Sequence, residues 1–102
     1  MSNQLQLLQN TAQKLGEYFD DEIMPNQTSY NELHQRLTEC VVYLLLHHME
    51  QLLQILYRVD VNEQLTQAAF AQNDPQKIAP ELARLLIERE LKKAETRLKY
   101  RT

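Results

Sequence analysis

The chain has 102 residues, of which 43% are hydrophobic and 25% are charged, and its formal net charge is −3. It contains one Gly, one Cys and three Pro. One Gly excludes the dinucleotide fingerprint and the P-loop, because both need several glycines where backbone amides approach phosphate. Good helix formers dominate, so we expect an all-α protein with a single domain over residues 1–102.

The lone Cys cannot close an internal disulfide. The N-terminal residues also lack the charged and apolar regions of a secretory signal. We therefore expect a cytoplasmic protein in a reducing environment. The longest apolar run is far shorter than the ~18 residues that a membrane-spanning helix needs, so we expect no membrane association.

The first predicted helix spaces apolar residues along one face from Leu5 to Phe19. Three carboxylates, Asp20, Asp21 and Glu22, follow at its end. Negative charge there opposes the helix dipole and costs a few tenths of a kcal/mol per group, unless a basic side chain lies close. We expect the basic residues at positions 99–101 to supply that partner.

The second predicted helix covers residues 29–58, which contain neither Gly nor Pro. Ser29 with Glu32 forms a capping box at its start. Seven successive apolar residues, 40–46, cover the whole circumference of the helix. This segment is predicted to be the most buried part of a central helix, and one small chain cannot surround it. We therefore expect a homodimer or a higher oligomer.

Two further helices complete the predicted bundle. Asp60 with Glu63 forms a second capping box and predicts a short helix to about Gln72. Pro80 suits the first turn of the last helix, in which leucines recur at helical spacing as far as Leu98. The predicted fold is a helical bundle of three long helices and one short helix.

His47, His48 and Glu50 are the candidate metal ligands, because imidazole and carboxylate groups bind transition metals. Neighbouring helix positions diverge by about 100°, so His47 and His48 point to different sides of one helix. Two subunits could still bring them together near a symmetry axis. We favour the interpretation that these histidines are hydrogen-bonded core or interface residues, with metal binding as the alternative, and we expect no cofactor.

No catalytic residue is predicted. The two serines are Ser2, which is terminal, and Ser29, which is explained by capping. Cys40 lies in the most apolar part of a helix, where burial raises the pKa of a thiol and makes it unreactive.

Residues 84–101 hold seven basic and three acidic residues, whereas the rest of the chain is acidic. A basic helix could bind nucleic acid. However, Glu88, Glu90 and Glu95 interrupt this surface, and the acidic body would repel phosphate. We therefore favour a solvated helix with salt bridges and do not expect nucleic-acid binding.

Residues 55–63 and 85–93 resemble the second half of a group of small, uncharacterised helical proteins from bacteria. The resemblance covers about half of the chain and implies no activity. The favoured function is that of a small helical interaction or regulatory protein that self-associates and has no catalytic site. The alternatives are a ligand- or metal-binding protein that uses His47 and His48 at a subunit interface, and a nucleic-acid binder.

Overall fold

The computed structural model describes residues 2–100, which form five α-helices and contain no strand. The all-α prediction is confirmed for these residues. Arg101, counted above in the basic segment, lies outside them. None of the described helices is both long enough and apolar enough to cross a membrane. The helices are α1 (Ser2–Phe19), α2 (Tyr30–His47), α3 (Met49–Val59), α4 (Glu63–Phe70) and α5 (Pro75–Lys99), and a 3₁₀ turn (Met24–Asn26) lies between α1 and α2.

The central element is α5, which packs against all four of the other helices. Its buried residues are Ile78, Ala79, Leu82, Ala83, Leu85, Leu86, Ile87, Glu90 and Ala94. They cover most of the circumference in its first half, and the small alanines allow close approach. The expectation of a central second helix is therefore wrong.

A break at His48 divides the predicted second helix into α2 and α3. The backbone of His48 leaves the helical region, with φ −144° and ψ 60°. Its N–H still donates to the carbonyl of Leu44 at 2.7 Å, and its own carbonyl accepts from the N–H of Leu52 at 3.2 Å. Because neither Gly nor Pro marks this point, the sequence alone predicted one uninterrupted helix.

The segment 40–46 is buried on one side only. Val41 and Leu44 are in the core, whereas Tyr43 and Leu46 are exposed. Val41 and Leu44 continue the buried stripe of α2 that begins with Leu33 and Leu37. The prediction that this whole segment is the most buried part of the chain is wrong for the single subunit.

Aspartates rather than glycines directly follow α1 and α3, and an asparagine lies in the connection between α4 and α5. Asp20, Asp60 and Asn73 have φ of 51°, 67° and 58°. These side chains tolerate the left-handed region better than most, so the chain turns sharply without glycine. Asp60 therefore ends α3, and the predicted capping box at α4 is wrong. The Oδ1 of Asn62 accepts from the N–H of Leu65 at 3.0 Å and caps α4 instead.

The capping of α2 follows the prediction. The hydroxyl of Ser29 accepts a hydrogen bond from the N–H of Glu32 at 3.1 Å. The carboxylate of Glu32 accepts from the N–H of Thr28 at 3.0 Å. Two backbone donors at the start of the helix are thus satisfied.

The last helix begins earlier than predicted, at Pro75 rather than Pro80. Asp74 caps it by accepting from the N–H of Gln76 at 3.0 Å. Pro80 lies inside the helix, where its carbonyl is 2.9 Å from the Nε2 of His34. This bond ties α2 to α5.

Candidate functional site: the junction of α2 and α3

Large apolar side chains stay exposed where α2 meets α3. We call this group the junction surface, and it includes Tyr57, which is 86% exposed, and Leu53, which is 47% exposed. Because α3 turns Leu52, Ile55 and Leu56 into the core, its opposite side must face outward. The junction surface comprises Tyr43, Leu46, Met49, Leu53 and Tyr57.

The outer face of α3 carries two neighbouring rows of side chains, each with members four residues apart. The apolar row is Met49, Leu53 and Tyr57, and the polar row is Glu50, Gln54 and Arg58. Residues at this spacing lie one above the other on a helix. All six residues are exposed. Besides the apolar side that α3 packs against the core, its exposed side therefore has an apolar row next to a polar row.

The structure brings His47, His48 and Glu50 to one open groove of about 640 Å³. Tyr18 at the end of α1 also lines this groove, and the guanidinium of Arg58 lies over its ring, 5.2 Å from the centroid. No three His, Cys, Asp or Glu residues within the described part, 2–100, are grouped so that they could hold a metal ion.

Both histidines lie beside the ring of Tyr43. The centroid distances are 5.0 Å to His47 and 5.7 Å to His48, with interplanar angles of 46° and 48°. The two imidazoles are exposed and flank one aromatic side chain. They therefore border the junction surface at Tyr43.

A second polar cluster forms where α1 ends, around the carboxylate of Asp21. Its Oδ1 accepts from the N–H of Met24 at 2.7 Å and of Ile23 at 3.1 Å, which caps the 3₁₀ turn. The Nε of Arg36 donates to the same oxygen at 3.3 Å, and the thiol of Cys40 lies 3.4 Å from Oδ2. The basic partner that the sequence required is therefore Arg36 of α2.

Sequence reasoning missed this pair because Arg36 lies fifteen positions beyond Asp21, with a turn between them. Within the described residues the partner of Asp21 is Arg36 rather than Lys99, and Arg101 of the expected segment 99–101 lies outside those residues. The only available signal was that Arg36 is one of four basic residues outside the C-terminal segment 84–101.

Burial tends to raise the pKa of Asp21, but the hydrogen bonds from Arg36, Met24 and Cys40 outweigh it and hold this pKa below its usual value. Burial is also the main reason why the pKa of the Cys40 thiol rises to about 12, and the nearby Asp21 carboxylate adds to the increase. Such a thiol is a poor nucleophile near neutral pH.

Asp21→Asn is expected to flatten the acid side of the pH–stability profile. A carboxyl group with a depressed pKa in the folded state stabilises the protein above its unfolded pKa, and this contribution disappears as the pH falls through the folded value. Wild type should therefore lose more unfolding free energy than Asp21→Asn between about pH 5 and pH 2. Denaturant melts at each pH measure the difference.

The exposed neighbour Glu22 provides the control for this experiment. Glu22→Gln should leave the acid limb close to that of wild type. If Asp21→Asn and Glu22→Gln shift the profile equally, the Asp21–Arg36 contact does not stabilise the fold.

Three basic residues of α5 are engaged in ion pairs within the molecule. Arg84 contacts both Glu81 and Glu88, with its Nη1 2.8 Å from the carboxylate of Glu88. Arg89 lies 3.2 Å from the carboxylate of Asp60, and Lys93 lies 3.0 Å from that of Glu90. These carboxylates neutralise part of the charge that a phosphate backbone would need.

Comparisons of the chain with protein-family models, with curated proteins and with solved structures found no match. The resemblance of its second half to small helical bacterial proteins therefore stays a prediction.

Proposed function

We propose that this is a small helical interaction protein that self-associates through the junction surface and has no catalytic site. The observation that carries the proposal is the exposure of five large apolar side chains in succession along α2 and α3. Met49, Leu53 and Tyr57 stay exposed at helical spacing along α3, and exposed apolar side chains grouped in this way are candidates for protein–protein contact. The buried stripes of both helices are already used in the core, so this surface is additional to folding.

The chemistry of the other candidate sites supports the same proposal. The Cys40 thiol is poorly ionised. The ion pair of Asp21 with Arg36 joins the end of α1 to α2, and the ion pair of Arg84 with Glu88 lies within α5. The groove beside His47 is wide and open, so it offers little exclusion of water to a reacting group.

Leu53→Asp is expected to dissociate the oligomer. Wild type should have a mass that is a multiple of the 12.1 kDa of one chain, whereas the variant should have the mass of one chain. The reason is that an aspartate in the middle of the apolar row would bury a charge without a partner on association. Light scattering over a range of protein concentrations measures both masses.

The matched control is Leu65→Asp, because Leu65 is 50% exposed on α4 and Leu53 is 47% exposed on α3. Both variants remove the same side chain and add the same charge. Leu65→Asp should therefore keep the wild-type mass. A wild type with the mass of one chain at all concentrations would contradict self-association, and equal dissociation by both variants would contradict the assignment of the surface.

A second candidate function is metal or ligand binding by His47, His48 and Glu50 at a subunit interface. The observation that favours it is that all three line one groove beside the junction surface. Elemental analysis of the purified oligomer distinguishes the two candidates. A stoichiometric metal that is lost in a His47→Ala/His48→Ala variant would favour this second function.

A further inference from the structure

The polar row on α3 carries opposite charges at its two ends. Glu50 and Arg58 each lie four residues from Gln54, one on either side. Both are exposed, and neither forms an ion pair with another residue in the part of the chain that the structure describes. The row is therefore acidic at one end and basic at the other, and the guanidinium at its basic end also lies over the ring of Tyr18.

Two copies of α3 related by a twofold axis and running in opposite directions would match this pattern. In such an arrangement each row faces the same row of the other copy, with its ends exchanged. Glu50 then lies level with Arg58 of the second copy. In the apolar row, Met49 meets Tyr57 of the second copy, and the two Leu53 side chains meet each other near the axis.

A parallel arrangement of the two helices lacks this complementarity. A twofold axis parallel to the helices would place the polar row of one copy against the apolar row of the other, so Glu50 and Arg58 would face apolar side chains and meet no opposite charge. Charge therefore decides the direction.

We infer that the occupant of the junction surface is a second copy of this chain, bound through antiparallel α3 helices with reciprocal Glu50–Arg58 ion pairs. The inference rests on the proposed self-association and adds its partner, direction and register. An eleven-residue helix is about 16 Å long and is short for an interface of roughly 800 Å² per subunit. Tyr43 and Leu46 of α2 extend the contact beyond Met49.

The test uses two charge-reversal variants, Glu50→Arg and Arg58→Glu. Each variant alone places like charges at both ends of the interface, and we expect the dissociation constant to rise about ten-fold, as for two partly exposed ion pairs turned repulsive. An equimolar mixture should form a heterodimer about as tight as wild type, because both contacts then join opposite charges. Sedimentation with one variant carrying a fluorescent label measures the dissociation constant of each variant alone and that of the mixture.

Mixing distinguishes the interface from effects within the subunit. Arg58→Glu also removes the contact with the Tyr18 ring, but a second variant cannot restore that contact. If mixing fails to restore association while Leu53→Asp still dissociates wild type, the antiparallel register is wrong and the proposed function stands. If wild type is monomeric, both the register and the self-association are wrong.

Discussion

Lys93→Met is expected to lower the free energy of unfolding by about 2–3 kcal/mol. Breaking a fully buried ion pair costs about 3–5 kcal/mol, and this pair is only partly buried on the Lys93 side. Lys93 lies 3.0 Å from one carboxylate oxygen of Glu90, whose side chain is completely buried, while the side chain of Lys93 is 23% exposed. The other oxygen of Glu90 has no hydrogen-bond partner within the described residues. Removing Lys93 would leave both oxygens buried and unpaired.

Glu90→Met is expected to have the opposite effect and to be at least as stable as wild type. An apolar side chain of similar length removes a buried oxygen that is already unpaired. Once Glu90 is absent, Lys93→Met should cost less than about 0.5 kcal/mol, as a surface substitution does. Chemical denaturation of wild type, the two single variants and the double variant gives the coupling free energy between Glu90 and Lys93.

Lys92→Met provides the control, because Lys92 is exposed on the same turn of α5. It should change the stability little in either background. A loss for Lys92→Met as large as that for Lys93→Met would show that the Glu90 contact is not responsible. Additive effects of Glu90→Met and Lys93→Met would lead to the same conclusion.

Gly16→Ala is expected to destabilise the protein by about 1–3 kcal/mol, the usual cost of overpacking. Helix propensity alone would predict a gain in stability, since alanine is the better helix former by about 1 kcal/mol. The added Cβ would lie 2.9 Å from the carbonyl oxygen of Asp21 and 3.0 Å from two ring carbons of Pro25. The 3₁₀ turn would have to move away from α1.

Gln9→Ala is the matched control on the exposed side of α1. At this exposed position the added alanine raises helix propensity and meets no neighbouring side chain, so the stability of this variant should equal or slightly exceed that of wild type. Thermal melts of both proteins measure the difference. A stabilised Gly16→Ala would show that the turn adapts at no cost and that the glycine is not required by packing.

Local patterns in the sequence predicted the fold class and the start of α2. Ser29 and Glu32 are three residues apart, so the capping interaction depends only on neighbours in the chain. The outward direction of Tyr43 and Leu46 was not predictable in this way. All seven residues 40–46 are apolar, so this segment by itself does not show which side faces the core, and that side becomes evident only when the stripe of Leu33 and Leu37 is extended to Val41 and Leu44.

The break at His48 and the central position of α5 arise from tertiary packing. Residues 29–58 contain no Gly or Pro and are compatible with one straight helix, so no residue type marks the non-helical backbone of His48. His47, His48 and Glu50 were identified as a group from the sequence, and they do line one groove. Arg58 and Tyr57 were missed as site residues. A cation such as Arg58 is common in the last turn of a helix, and a tyrosine such as Tyr57 is common at the edge of a core.

The environment of Cys40 also makes the thiol a chemical reporter of local opening. Because burial raises the pKa of this thiol to about 12, very little of it is thiolate at pH 7 in the folded state. Opening of the contacts with Asp21 would return the thiol towards ordinary ionisation, and alkylating reagents would then react with it much faster. The rate of labelling of this one side chain therefore measures how often α1 and the 3₁₀ turn separate from α2.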